Sequence, residues 1–205
     1  MLSTVRWMTF PFKTVGNSKL TSVILSHALK KTSAENWIKN TLYEFGEFDS
    51  VINCAGVLSK VPFLFKDGEE EDILNTLNIN FLAIWNLCRL SWDNLCASGR
   101  GRIIVLVSMS GIRSKGDLAA YSSSKFAVRC LTQCWQAELR PFNIRVCQVN
   151  PSEVTTAFGN TERVERSEVH NKLTVREISH AIISAIEMDD RGFINELNIW
   201  ATNPF

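Results

Sequence analysis

Three observations predict an α/β fold in which a doubly wound parallel sheet carries helices on both faces. From residue 33 onward, helical and strand signals alternate along the chain. The run Ile103-Ile104-Val105-Leu106-Val107 is continuously apolar and mostly β-branched, as a central parallel strand covered on both faces requires. Short turn segments, Asn53-Cys54-Ala55-Gly56, Ser108 and Asn150-Pro151, each follow an expected strand. In sheets of this kind ligands bind outside the carboxyl ends of the strands, so these three segments are expected to share one crevice.

The elements follow in order. Ser33 is a candidate N-cap, Trp37, Ile38, Leu42 and Phe45 recur at helical spacing, and Gly46 stops that helix before the strand Ser50-Val51-Ile52-Asn53. One long helix is expected over about residues 70 to 97, ended by Gly99 and Gly101. After the 103–107 strand comes a helix over about 119–139. Pro141 then leads into a strand at 144–149 and a polar loop over about 150–173. Thr174-x-x-Glu177 has the form of a capping box for a helix to about residue 188, and Gly192 introduces a last strand near 193–200. Such strand-helix-strand units connect with right-handed crossovers.

The 205 residues are 45% apolar and 21% charged, which suits one soluble domain with a substantial core. A net charge of +1 gives no electrostatic reason for a nucleic-acid or membrane-surface partner, and no apolar run approaches the length of a bilayer span. Six cysteines (Cys54, Cys88, Cys96, Cys130, Cys134, Cys147) lack CxxC spacing, and His27, His170 and His180 stand far apart. No structural metal or disulfide framework is expected, and a cytoplasmic location suits the thiols. Cys130 and Cys134 can meet on one helical face, where packing as small apolar residues is their expected role.

The charge is uneven. Residues 1–34 carry Arg6, Lys13, Lys19, Lys30 and Lys31 and no acid, leaving 17 basic groups against all 21 acidic ones in the rest. Residues 1–32 are therefore read as an atypical basic segment ahead of a domain over 33–205. Arg6 comes too early for a secretory signal, whereas an acid-free, basic, hydroxyl-containing start is also the composition of an organellar transit peptide.

The chemistry centres on Tyr121 and Lys125 in Ala119-Ala120-Tyr121-Ser122-Ser123-Ser124-Lys125. Positions i and i+4 share a helical face, so a phenol and an ammonium project into one cleft. A free phenol titrates near pH ~10, and an adjacent fixed cation is expected to lower that value and make it a usable proton carrier. Ser108, thirteen residues before Tyr121, places a hydroxyl at the end of the apolar strand.

With these residues together, the chain resembles the short-chain dehydrogenase/reductase family over about residues 33–205. Asn53-Cys54-Ala55-Gly56 is similar to the family's Asn-Asn-Ala-Gly turn, with Cys54 in place of the second Asn. Asn80 matches the helix Asn, Ser108 the substrate-orienting Ser, and Tyr121 and Lys125 the catalytic pair. Asn150-Pro151-Ser152-Glu153-Val154-Thr155-Thr156 is similar to the Pro-Gly-x-x-x-Thr segment, with Ser152 in the Gly position.

The resemblance implies a Rossmann-like sheet and an NAD- or NADP-dependent interconversion of a small-molecule alcohol and carbonyl by hydride transfer. Tyr121 would donate the proton and also contact the cofactor, Lys125 would lower the phenol's pKa and bind the nicotinamide ribose, and Ser108 would hold the carbonyl oxygen. Asn80 would interrupt its helix and, through its backbone carbonyl, hold a water linking Lys125 to solvent. Asn53, Ala55 and Gly56 would line the adenosine side, and Pro151, Val154 and Thr156 the carboxamide and phosphate side. The family commonly pairs through the helices at about 70–98 and 119–139, which implies a homodimer or homotetramer. The short segment between Thr156 and Thr174 suggests a small substrate lid. The tail from Glu196 to Pro204 is similar to that of 3-oxoacyl-acyl-carrier-protein reductase-like members.

The front of the chain departs from the pattern. The family's Thr-Gly-x-x-x-Gly-x-Gly loop, whose glycines let a helix N-terminus meet a pyrophosphate, is not recognisable: Thr14-Val15-Gly16-Asn17-Ser18-Lys19 lacks the spacing. His27 falls about where an adenine-binding Asp is expected. Either the chain is a piece of a longer, mis-started gene product, or it is a short variant in which residues 5–10 and 21–25 form substitute strands. Weakened cofactor binding is expected in both cases. The rival reading is a non-catalytic or cofactor-impaired relative acting as an assembly subunit.

Overall fold

The computed structural model describes residues 31–60, 69–160, 162 and 164–202. Four parallel strands, β1 (Ser50–Asn53), β2 (Arg102–Leu106), β3 (Arg145–Pro151) and β4 (Glu196–Ile199), lie side by side in chain order. Val51 stands opposite Ile103, Ile104 opposite Cys147, and Asn150 opposite Asn198. Each crossover is helical. α2 (Glu69–Leu77), α3 (Ala83–Leu90) and α4 (Trp92–Ala97) separate β1 from β2, α5 (Ala119–Glu138) separates β2 from β3, and α6 (Val175–Glu187) separates β3 from β4. α1 (Lys31–Phe45) precedes β1.

Strand alternation sends successive side chains to opposite faces, and two cores result. On one face Val51, Ile103, Val105 and Val146 pack with Ile38, Ile84, Leu87, Val128 and Trp135 from α1, α3 and α5. On the other, Ile52, Ile104, Cys147 and Val149 pack with Ile178, Ile182, Ala185 and Ile186 of α6. The sheet is doubly wound, as its apolar strands predict. A fully buried side chain such as Ile84 or Leu87 contributes roughly 1.5–3 kcal/mol.

The expected capping box is present: Thr174 Oγ1 accepts from the Arg176 N–H at 3.2 Å, and Glu177 Oε2 accepts from the Thr174 N–H at 2.7 Å. Gly46 ends α1 with φ +80°, a conformation that Gly adopts without a Cβ penalty. Three expectations need correction. Ser33 lies inside α1 rather than ahead of it. The helix expected over 70–97 is divided by a π-helical segment, Asn78–Leu82, and again at Ser91, whose hydroxyl donates to Leu87 O at 2.9 Å. The last strand begins at Glu196 rather than near 193, and paired backbone rather than apolar run length sets its bounds. The Thr14–Lys19 stretch, His27 and the substitute strands at 5–10 and 21–25 lie outside the described residues. Among the described residues no helix is long and apolar enough to cross a membrane.

Candidate active site

The carboxyl ends of β1, β2 and β3 open onto the first turn of α5, and a set of buried polar contacts fixes their relation. After β1 the chain turns under Asn53, whose Oδ1 accepts from the Ala55 N–H at 3.1 Å. Two residues later the backbone of Val57 is gripped from both sides by Asn80: Oδ1 accepts from the Val57 N–H at 2.8 Å and Nδ2 donates to Val57 O at 3.0 Å. Asn80 Nδ2 also donates to Ser124 Oγ at 2.9 Å, and Ser124 Oγ donates to Tyr121 O at 2.6 Å. The β1 turn, the π segment and the start of α5 are thus one hydrogen-bonded unit.

The π segment explains how Asn80 reaches inward. Widening the helix, with the Ala83 N–H bonded to Asn78 O, sets Asn80 in a fully buried position. π-bulges of this kind recur at functional sites. The Asn80 side chain does something the sequence did not suggest, which is to brace the Ala55-Gly56-Val57 turn.

Ser108 stands two residues beyond β2 with φ 154° and ψ 158°, a region populated almost entirely by Gly. Its Oγ accepts from the Ser110 N–H at 3.1 Å, and its hydroxyl lies near enough to Tyr121 to act on the phenol. Gly111 allows this loop to lie on α5, since a Cβ there would sit 2.8 Å from Val107 Cγ1 and 2.9 Å from Lys125 O. Lys125 Nζ donates to Leu106 O at 3.3 Å and lies 5.7 Å from the Tyr121 ring centroid. Both side chains are buried, Lys125 to 3% exposure and Tyr121 to 5%.

Burial dominates the electrostatics. It raises the Tyr121 phenol above its ordinary value, with the Ser108 hydrogen bond acting against it. It lowers the Lys125 ammonium from 10.5 to about 8, opposed by the Cys54 thiol. The sequence-based expectation that Lys125 lowers the phenol's pKa therefore differs from this state of the protein, where desolvation prevails and the phenol keeps its proton. No carboxylate among the described residues pairs with this buried ammonium, which makes its burial costly, and perturbed groups of this kind cluster at functional sites.

The expected cofactor-side residues divide into two groups. Asn53, Ala55 and Gly56 lie at the site itself: a Cβ at Gly56 would stand 3.4 Å from Asn80 Oδ1 and 3.5 Å from Lys125 Nζ. Pro151, Val154 and Thr156 leave β3 on a loop tied down elsewhere. Val154 bridges to Leu173, and Arg166 donates to Val154 O at 2.6 Å, Thr156 O at 3.1 Å and Glu153 Oε1 at 2.9 Å. Thr156 Oγ1 accepts from the Phe158 N–H at 3.2 Å. Phe158 connects the loop to the carboxyl end of the sheet, its ring centroid 6.1 Å from that of Tyr121. Ser124, Gly111, Arg166 and Phe158 were not singled out from the sequence. Only Ser124 carried a local signal, its place one residue before Lys125.

A family model described as short chain dehydrogenase matches residues 15–167. The chain is 27% identical over 154 residues to a 3-ketodihydrosphingosine reductase of Bacteroides thetaiotaomicron, covering 75% of this chain and 55% of that protein. It thus spans about half the length of that relative. An alcohol dehydrogenase from the archaeon Thermococcus sibiricus, solved with 5-hydroxy-NADP, has a TM-score of 0.77 at 24% identity, covering 85% of this chain and 72% of the other. An NAD+-bound xylitol dehydrogenase has a TM-score of 0.69 at 20% identity, covering 85% and 76%. Both structures have the same fold as this chain.

Proposed function

Because the chain belongs to the short chain dehydrogenase family, we propose that it is an oxidoreductase that interconverts an alcohol and a carbonyl with NAD or NADP. The observation that carries this reading is the meeting of half-buried Ser108 with the buried Tyr121 and Lys125 at the carboxyl ends of the strands. The similar structures with 5-hydroxy-NADP and NAD+ support the cofactor class, and the named reductase relative supports a ketone substrate.

The residues present suit the nicotinamide-proximal part of such a cofactor. An ammonium carries three donors, and Lys125 has one acceptor among the described residues, so donors remain for ribose hydroxyls. The buried Asn53 Nδ2 has no hydrogen-bond partner among the described residues, and Gly56 leaves the approach to Lys125 free of a Cβ. Asn53, Ala55 and Gly56 would line the adenosine side, and Pro151, Val154 and Thr156 the carboxamide and phosphate side. When bound, the nicotinamide supplies or accepts the hydride.

In the reductive direction the Tyr121 hydroxyl donates its proton to the carbonyl oxygen. Its raised pKa keeps that proton in place at neutral pH. Ser108 donates a hydrogen bond to the same oxygen and stabilises its growing charge, having been aimed by an unusual backbone conformation before substrate arrives. Lys125 holds the ribose and places a positive charge beneath the phenol as it ionises. Asn80 is a positioning residue that keeps the β1 turn and Ser124 in register. Phe158, with Leu58 packed against Gly159, gives the substrate side an apolar wall.

The test is reduction of aliphatic ketones of increasing chain length with NADH or NADPH, read by loss of nicotinamide absorbance, alongside calorimetric titration of each cofactor. Turnover abolished by Tyr121→Phe is the expected result. Absence of both cofactor binding and turnover would overturn the reading in favour of a non-catalytic subunit. We also propose that the chain pairs with itself through α3 and α5. Leu82 at the end of the π segment, Trp85 of α3 and Phe126 of α5 are exposed apolar residues. Light scattering on the purified chain tests this.

A further inference from the structure

We propose that Phe158 gates the cofactor side of the site: its ring fills the approach from Gly56 to Lys125 and turns aside before a nicotinamide ribose reaches the ammonium. The gate presupposes the oxidoreductase reading, in which Lys125 holds that ribose.

Gly56 measures the space. A carbon in its Cβ position would stand 3.4 Å from Asn80 Oδ1, 3.5 Å from Lys125 Nζ and 3.8 Å from Phe158 Cε2. Non-bonded heavy atoms meet at about 3.5–4.0 Å, so a single atom there already touches all three. A ribose is several atoms across, and one of these walls has to give way. Asn80 is fully buried and fixed by its hydrogen bonds to Val57 and Ser124. Lys125 is 3% exposed and donates to Leu106 O. Phe158 is 42% exposed and approaches from a loop, so it is the wall that moves.

The loop is shaped to present such a ring. The Asn160 N–H donates to Ala157 O at 3.1 Å, closing a four-residue turn with Phe158 and Gly159 at its centre. Gly159 has φ +77°, a value that glycine adopts without strain at the third position of a type II turn. The base of the turn is tied down: Arg166 donates to Val154 O and Thr156 O, and Thr156 Oγ1 accepts from the Phe158 N–H. The ring therefore projects from the tip of a turn whose base is held. Its Cε2 edge faces Gly56 and Lys125, while the ring as a whole lies beside Tyr121, 6.1 Å between centroids. One side chain thus closes the cofactor side and walls the substrate side. The two roles have opposite signatures, because removing a gate tightens cofactor binding and removing a wall weakens the binding of an apolar substrate.

The experiment titrates NADH and NADPH into the full chain and into Phe158→Ala by calorimetry. A gate divides the intrinsic affinity by the fraction of molecules that stand open, so Phe158→Ala should bind the preferred cofactor about three- to tenfold more tightly, while KM for an aliphatic ketone rises. In stopped-flow nicotinamide fluorescence, the binding rate of the unmutated chain should level off with cofactor concentration at the rate of opening, whereas that of Phe158→Ala should keep rising. Phe158→Trp, with a larger ring at the same tip, should weaken binding. Cofactor binding by the unmutated chain that Phe158→Ala leaves unchanged or weaker overturns the gate alone. Binding by neither protein overturns the oxidoreductase reading and the gate with it.

Discussion

The two ends of the sheet both bury cationic side chains, and they treat them in opposite ways. At the amino ends of β2 and β3, Arg102 and Arg145 share Asp190 at 3.1 and 2.7 Å, and Arg100 meets Asp49 at 3.1 Å. At the carboxyl ends Lys125 is buried against a carbonyl oxygen and a phenol ring, with its pKa lowered to about 8. Compensated charge at one end holds strands together. At the other end no carboxylate among the described residues pairs with Lys125, and that leaves it free to meet a ligand, since an ammonium satisfied by its own scaffold would have little to offer one.

The largest expected effect follows from removing the proton carrier. Tyr121→Phe keeps the ring that contacts Phe158 but deletes the hydroxyl beside Ser108. Carbonyl reduction should fall by about 10²–10⁴-fold in kcat, with unfolding midpoint and cofactor affinity little changed. Steady-state kinetics beside a thermal melt checks both. A variant with undiminished kcat would place the proton source elsewhere.

Lys125→Met sharpens the contrast through pH. The folded chain releases this proton at about pH 8, whereas the unfolded chain holds it to about 10.5. Between those values the unfolded state binds more protons, so Lys125 makes stability rise with pH across this window. Below pH 8 its burial penalty is fully present. The variant should lose activity yet gain stability at pH 7, and should lack a rise on the order of 3 kcal/mol between pH 7.5 and 10.5. Urea titrations of both proteins across that range measure it, and an identical pH slope would remove the claim that this charge is uncompensated.

What the sequence disclosed about these two ends follows from the range of the contacts. Tyr121 and Lys125 were legible because their relation is local, one turn of one helix. The strand at β2 was legible because its apolar, β-branched run has few alternatives. The brace was not, since Asn80 meets Val57 across 23 residues and Ser124 across 44, and nothing near Asn80 records either partner. Likewise Arg166 looks like one charge among many in a polar loop until folding sets it against Val154 and Thr156. The sign of the Tyr121 shift was missed for a related reason: spacing reveals the neighbouring cation, while desolvation depends on everything packed around the phenol. Gly111 is needed only because the loop after β2 presses on α5.

Asn80→Ala tests whether the brace belongs to the site or merely to the fold. It leaves the Val57 N–H and carbonyl without their partner and takes from Ser124 Oγ the donor it accepts from, which should cost about 1–3 kcal/mol by denaturant unfolding. Because Gly56 adjoins Val57, cofactor KM should rise as well. Asn80→Asp retains the acceptor for the Val57 N–H and should recover part of the KM while remaining destabilised. Loss of stability with unchanged KM would make Asn80 a scaffold residue alone.

The smallest effect is expected at the opposite end. Arg102 is 7% exposed, but its partner Asp190 is 57% exposed, so solvent screens much of their attraction. Arg145 also remains bonded to Asp190 when Arg102 is replaced, which limits the charge left unpaired. Arg102→Met should therefore lower stability by only about 1 kcal/mol, less at high salt, and leave kcat and KM unchanged. Urea unfolding at two salt concentrations together with steady-state kinetics provides the check. If Arg102→Met impaired turnover as severely as Lys125→Met, the amino-end charges could not be regarded as purely structural, and the division of labour between the two ends of the sheet would fail.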